Sequence, residues 1–485
     1  MLTTTFLVSL AGMAVIALLG LLGRKKSVNL SEWTVGGRDF GALSMWFLQA
    51  GESFTTFTFL AVAGLAFTGG AAATYAIPYI PLSYLGLFFI GPMIWRLGKE
   101  HGYITQADFY AHRYSSPLFG RLVAVIGVVF LLPYLQLQIT GLGLIVELVT
   151  GDAASGTLSM IVATVLMVAF VLWSGIRGIA TTAYFKDALV IVVIAVIAVL
   201  VPMHYAGGIG ALFEQVRELR PEMLTVGDVE GFSRTWWFSN VLVSALGSAF
   251  LTLPHMWPPM LASRSAAVIR TNNVFLPLYQ VVIILPIIVG FTGLLVLDSG
   301  TRSDAVLLTL AAGALPDWAT GVVAVAAAAT AMVPGAAMCL GISTLVANNL
   351  VTPRGERARF AVNHGVVVAS ASLALVLGIL RPDLLANLLL LTFSGLTQLA
   401  PALLAAIGRR RLLDAGPAML GMLTGVGAVI VLTFTPLRFG DVSEGVVALV
   451  VNVAVAAAAQ LVLNARRRAG APEEPTPSVP VAAEK

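Results

Sequence analysis

Roughly 13 stretches of about 20 mostly apolar residues follow one another along this chain, each long enough to cross a bilayer at 1.5 Å rise per residue. Their approximate spans are 3–22, 42–68, 72–97, 118–149, 157–174, 180–203, 236–256, 274–298, 318–350, 358–379, 383–407, 416–435 and 444–465. Of the 485 residues 58% are hydrophobic and 11% charged. With a mean hydropathy of +0.93, such a chain cannot keep its apolar surface out of water as a soluble globule. The expected fold class is an all-α polytopic membrane protein.

The net charge of +4 says little, because the basic residues are sorted by side. If the N-terminus lies outside, 22 of the 28 Lys and Arg fall in cytoplasmic gaps and 6 outside. The inside clusters are Arg24-Lys25-Lys26, Arg96 to Arg121, Arg354 to Arg359, Arg409 to Arg411 and Arg466 to Arg468. The positive-inside rule then places the C-terminus in the cytoplasm of a plasma or inner membrane. No basic residue precedes the first apolar run, so that run reads as a retained anchor rather than a cleaved signal. One cysteine, Cys339, excludes internal disulfides and gives no metal pattern. Residues 466–485 carry a Pro/Ala/Glu composition and are expected to be a disordered cytoplasmic tail.

Several function classes fall away. Gly151 to Thr157, GDAASGT, lacks the Gly-Lys-Ser/Thr ending of a phosphate cradle. The five histidines (His101, His112, His204, His255, His364) are scattered, with no pair at metal-ligand spacing, so neither an enzyme nor a cofactor is expected. No repeated filter segment suggests a channel. A secondary transporter remains, and such proteins often hold solute near midplane between two interrupted helices, one per inverted repeat. Candidate interruptions are LQAGESFTTFTFLAVAG (Leu48 to Gly64), which opens on Gly51-Glu52, and Trp236 to Pro259, which mixes Asn240, Ser244, Gly247, Ser248 and Thr252 with Pro254. Small residues in membrane helices also serve plain close packing, which competes as an explanation for Gly247.

Three motifs resemble the sodium:solute symporter family. Ser31 to Arg38 (SEWTVGGR) looks like the Gly-Gly-Arg approach to that family's first core helix. Gly102 through Thr105 and Asp108 to Arg113-Tyr114 is similar to its cytoplasmic signature. Gly395 through Gln398 to Pro401, followed by Arg409 to Arg411, resembles its tenth core helix and basic loop. Within the family, Phe54 to Ala66, Ala76 to Tyr79 and Lys186-Asp187 look most like monocarboxylate permeases. The resemblance implies a leucine-transporter-like five-plus-five inverted-repeat core working by alternating access. On that scheme residues 1–30 add a helix in front, 31–205 and 206–412 are the two repeats, and 413–465 are two trailing helices.

The resemblance also implies a sodium position at the backbone carbonyls of Gly51 and Phe54. There the chain departs from the family. The two hydroxyl residues that complete the site on the eighth core helix correspond to Val333 and Pro334, close after Thr330, and neither carries a side-chain oxygen. The family's Thr-Asp on the fifth core helix is Thr182-Ala183, with Lys186 about a turn further on beside Asp187. Glu52 and Lys186 are therefore candidates to supply a fixed or titratable charge in place of sodium. Alternatively, Lys186 snorkels to the interface. Coupling to Na⁺ and coupling to H⁺ both stay open.

Candidate solute-binding residues are Glu52, Ser53, Thr55, Thr58, Tyr134, Gln136, Asn240, Ser244, Ser394 and Gln398. Thr56 and Gln138 also lie on the core helices. Gln136 and Gln138 diverge by about 200° on a helix, and Gln136 is preferred for the cavity. Glu147 reads as a solvated rim residue, and Asp298, Asp304 and Asp317 as external-loop residues. The expected function is cation-coupled symport of a small organic solute, a monocarboxylate by the resemblance. The alternatives are a sodium-independent carrier of another polar solute and a receptor or channel-like protein that binds solute without concentrating it. No nucleic acid or partner subunit is called for, and a monomer or weak homo-oligomer is expected.

Overall fold

The computed structural model describes residues 4–22, 29–150, 156–381, 385–408 and 411–469, and these are helical, with no strand among them. An apolar α1 (Thr4–Leu22) precedes the short α2 (Leu30–Val35). Next come α3 (Ala42–Ser53) and α4 (Val62–Gly69), two halves of one interrupted span, then α5 (Tyr79–His101), the short α6 (Gln106–Arg113), α7 (Pro117–Thr150) and α8 (Gly156–Ala206). A second group follows: α9 (Ile209–Leu219), α10 (Arg234–Ala249), α11 (Trp257–Ala262), α12 (Ala266–Gln280), α13 (Ile284–Val296) and α14 (Val306–Ala314). The remainder is α15 (Asp317–Leu345), α16 (Glu356–Leu380), α17 (Leu385–Leu396), α18 (Ala400–Ile407), α19 (Ala415–Phe434) and α20 (Glu444–Ala469).

By length and apolarity the described residues form 10 membrane-crossing helices, or 11 when the bent pair Arg234–Ala249 and Pro254–Ala262 is taken as one span. The sequence count of about 13 differs because two of these runs each hold two passes. The run 57–101 joins the end of the first interrupted span to α5 through a turn near Gly70. Within α8, Gly175 sits at φ 55, ψ −174 and breaks the helix. A Cβ there would lie 2.9 Å from the Trp33 ring, so glycine is required on both counts.

At one end of the bundle the family-like signature acts as a clamp. The Thr105 hydroxyl caps α6 and donates to Asn349 Oδ1 at 2.8 Å. Asp108 closes the capping box and accepts from the Asn348 and Asn349 amides at 2.9 and 2.7 Å. Arg113 Nε donates to the Ala406 carbonyl at 2.6 Å, and the Tyr114 hydroxyl to that of Ala402 at 2.7 Å. These residues tie α6 to α18 and to the turn after α15.

At the opposite end Asp304 is no free loop residue. It is 7% exposed, and its Oδ2 accepts from the backbone N–H of Leu385, where α17 begins. Glu147 pairs with Arg302 at 2.9 Å, a partly exposed contact of little energetic weight. α20 continues as helix to Ala469. The rest of the expected tail, the Arg24-Lys25-Lys26 cluster, and Arg409 and Arg410 lie outside the described residues. Nearly all of α15 from Thr320 to Leu345 is buried, so protein rather than lipid surrounds it.

Candidate functional site

Both interruptions are present. α3 stops at Ser53, Phe54 adopts extended backbone (φ −92, ψ 93), and winding resumes at Phe57–Ala61 with a wide π-type turn. The open segment is held by neighbours. Gln138 Oε1 accepts from the Thr56 hydroxyl at 2.8 Å and from the Thr56 N–H at 3.3 Å, and the Phe57 N–H donates to Thr55 Oγ1 at 3.2 Å. In the second interruption α10 ends at Ala249, Leu251 takes a left-handed φ of 51°, and the chain re-enters helix through Pro254 with a 40° bend.

The first break exposes two carbonyls, and a side chain fills the place between them. Lys186 Nζ, reaching in from α8, donates to Gly51 O at 2.6 Å and to Phe54 O at 2.9 Å. Its third contact is Asp187 Oδ1 at 2.9 Å, and both side chains of this ion pair are wholly buried. An ammonium has three N–H donors, and all three are used. Tyr279 on α12 donates to Asp187 Oδ1 at 3.0 Å and fixes the carboxylate. The packing at Gly51 is close: a Cβ would stand 3.0 Å from Ala183 Cβ and 3.4 Å from Asp187 Oδ2. Burying two charges costs several kcal/mol per ion, which the direct contact and the Tyr279 hydrogen bond at Oδ1 offset, while Asp187 Oδ2 is buried without a hydrogen-bond partner. The snorkelling alternative for Lys186 is thereby corrected: the amine points at the broken backbone, away from any interface.

Beside the break lies a small cavity of about 60 Å³ lined by Glu52, Ser53, Tyr84, Tyr134, Ser248 and His255, with Leu253 and Phe393 among its apolar walls. Ser53 and Tyr84 share a hydrogen bond of 2.8 Å, and the Tyr134 hydroxyl reaches Thr55 Oγ1 at 3.5 Å. Of the residues expected from sequence, this cavity brings together Glu52, Ser53 and Tyr134. Thr55 and Thr58 are buried on the broken segment, where the Thr58 hydroxyl returns to Ser53 O at 3.4 Å.

Other expected residues stand elsewhere. Neither Gln136 nor Gln138 lines this cavity: Gln136 donates its amide to the Arg381 carbonyl at 3.0 Å, while Gln138 braces the break. Asn240 and Ser394 line a separate cavity of about 650 Å³ with Arg438 and Glu444. Gln398 is turned toward α20, donating to Gly445 O at 3.1 Å and accepting from Asn452 at 3.2 Å. The Ser244 hydroxyl is buried without a hydrogen-bond partner. Val333 and Pro334 are buried side chains with no oxygen, and the Thr330 hydroxyl is engaged by Ala327 O at 2.6 Å on its own helix. Sequence reasoning missed His255, having weighed the histidines only as metal ligands. Its neighbour Pro254, at an interruption already singled out, was the available signal.

The sodium:solute symporter family model matches residues 33–425. The chain belongs to that family. This symporter is 35% identical over 471 residues to the uncharacterized symporter YhjB of Bacillus subtilis (strain 168), covering 93% of this chain and 96% of the relative. It is 28% identical over 460 residues to the monocarboxylate transport permease protein of Rhizobium johnstonii, covering 90% and 91% of the two chains. Among solved structures it resembles a Na⁺-coupled sialic acid symporter in a substrate-bound outward-open state, with TM-score 0.78 at 15% identity over 95% of this chain and 98% of that one. A nucleobase-cation-symport-1 family transporter in a closed conformation superposes with TM-score 0.58 at 16% identity, covering 91% and 96%. The fold is that of the leucine-transporter-like symporters, and the symporter is a multi-pass membrane protein for cation-coupled solute transport.

Proposed function

We propose that this symporter moves a small monocarboxylate together with a proton, with the Lys186 ammonium standing where other members of the family place sodium. The observation that carries the reading is the Lys186 Nζ position, within 2.6 and 2.9 Å of the Gly51 and Phe54 carbonyls. A sodium ion needs those same oxygens, and Val333 and Pro334 add none. The residues do not fit the ion there. Glu52 is the group to which we assign the travelling proton, since it lines the cavity and has an unpartnered carboxylate oxygen. The titratable groups around it are Lys186 and Asp187 on α8, Tyr84 on α5, Tyr134 on α7 and His255 before α11. The monocarboxylate assignment draws support from the similarity to the Rhizobium monocarboxylate transport permease protein and from a cavity with polar groups set among apolar walls. We also place the Arg113-bearing end in the cytoplasm, because the basic loops gather there.

Uptake of radiolabelled pyruvate, acetate and lactate into proteoliposomes, with pH and Na⁺ gradients imposed in turn, tests this. Accumulation driven by the pH gradient in sodium-free buffer is expected. Accumulation that needs Na⁺ and ignores the pH gradient sinks the proton reading and favours the second one, sodium coupling, which family membership supports. Absence of counterflow for all three acids overturns the monocarboxylate reading.

A further inference from the structure

His255 is the one nitrogen-bearing ring on the central cavity, and no Lys or Arg lines it. The residue is 1% exposed, and its Nδ1 has no hydrogen-bond partner. An unsatisfied buried polar atom costs about 1–3 kcal/mol, so a fold that retains one has a use for it or a visitor that satisfies it. The imidazole is held from two sides. Its ring meets the Tyr134 ring edge-on, with centroids 5.6 Å apart at 71°. Its backbone is pressed onto α15 at Gly341, where an added Cβ would lie 3.0 Å from His255 Cα. Pro254 immediately before it stiffens the re-entry into helix.

We infer that His255 recognises the carboxylate of the transported solute, donating a ring N–H to one carboxylate oxygen. The inference rests on the monocarboxylate reading above and adds the residue that enforces it. Apart from the Tyr79 and Ser248 hydroxyls, the other polar side chains on the cavity are already engaged or carry the wrong sign. Ser53 and Tyr84 are bonded to each other, Tyr134 leans toward Thr55, and Glu52, when ionised, repels an anion. An imidazole N–H is the one nitrogen donor that the cavity lining offers a carboxylate. The apolar walls, Leu253 and Phe393 among them, suit a short alkyl or acyl remainder, and the lining holds no second imidazole and no Lys or Arg for another carboxylate. The class recognised is therefore a short-chain acid with one carboxylate.

The test is competition against radiolabelled pyruvate counterflow in proteoliposomes, comparing lactate with its neutral amide, lactamide, for the wild type, His255→Asn and His255→Leu. Wild type is expected to prefer lactate strongly. His255→Leu is expected to raise the lactate inhibition constant and the pyruvate KM by about 10–100-fold, the range of a hydrogen bond to a charged group. The maximal counterflow rate should change far less, and the preference for lactate over lactamide should collapse toward one. His255→Asn, which keeps an N–H donor near the Nδ1 position, should recover part of that preference, and it carries the test if the Leu variant does not fold. A packing role would weaken lactate and lactamide alike. An intact lactate preference in both variants overturns the assignment of His255 while leaving monocarboxylate transport standing. A wild type that exchanges none of pyruvate, acetate or lactate overturns both.

Discussion

The two interrupted helices solve one problem in different ways. Each leaves carbonyls bare inside the membrane, where water cannot reach them. At the second break the plugs are neutral. Gln106 Nε2 donates to Leu251 O at 3.0 Å and Thr252 O at 3.1 Å, and the Trp257 indole donates to Leu251 O at 2.6 Å. The Thr252 hydroxyl closes back on Gly247 O at 2.7 Å. At the first break the plug is an ammonium, and an ammonium brings a counter-ion, Asp187, with it. A neutral plug has one state under physiological conditions. A charged plug can gain or lose a proton, change partner, or be replaced by another cation. The first break is built to be switched and the second to hold shape.

Removing the charged plug should have the largest effect. Lys186→Met is expected to reduce gradient-driven accumulation to background and to destabilise the fold by about 3–5 kcal/mol, because Asp187 is left buried and unpaired. The double variant Lys186→Met/Asp187→Leu should regain much of the thermal stability in detergent without regaining accumulation. Recovered accumulation in the double variant would show that the pair is scaffold only, and the contrast between the breaks would fail. Lys186→Arg should not rescue, since a planar guanidinium cannot replace a compact ammonium between two carbonyls and a carboxylate.

A step smaller is Glu52→Gln. This change keeps the side chain's size on the cavity but removes the group assigned to the proton. Accumulation against a gradient should be lost while counterflow exchange survives within about tenfold of wild type, a difference of roughly 1.4 kcal/mol. Normal accumulation by this variant returns Glu52 to a structural role and leaves Lys186 as the only candidate for coupling at the first break.

The positions of both breaks were legible in sequence, because glycine and proline beside hydroxyls in an apolar run have few other readings. The Lys186 amine could be suspected from the missing oxygens at Val333 and Pro334, but not located. Along α8 a lysine near one end and a lysine at midplane look alike until the Gly175 break sets the register. Gln136 and Gln138 were separable in principle by helical phase, yet phase alone does not say which face meets the break. His255 was lost because a single histidine makes no spacing pattern. Its meaning comes from α7, which supplies Tyr134, and α15, which supplies Gly341, both distant in sequence.

At the neutral break, Gln106→Ala removes the amide that donates to Thr252 O while Trp257 still serves Leu251 O. The expected cost is about 1–3 kcal/mol for the orphaned carbonyl, read as a lower unfolding temperature in detergent. The pH and ion dependence of uptake should keep the wild-type shape, with only its amplitude reduced. A shifted pH profile in this variant would mean that the second break also takes part in coupling, and the division of labour drawn above would be wrong.

The smallest expected effect separates proton coupling from ordinary acid sensitivity. Asp414, ahead of α19, is held below the usual carboxylate range, first by the Gln460 amide at 2.9 Å and then by the Arg467 guanidinium at 2.9 Å. A carboxylate depressed in the folded state stabilises it above the unfolded value of about 3.9, and that contribution fades as pH falls through the lower folded value. The group is largely solvated, so Arg467→Gln should cost only a few tenths of a kcal/mol, with the difference vanishing in high salt and in strong acid. Over the neutral range this pair is fully ionised and silent. If Arg467→Gln leaves the pH profile of uptake unchanged while Glu52→Gln flattens it, the pH response belongs to the first break rather than to the rim where α19 meets α20.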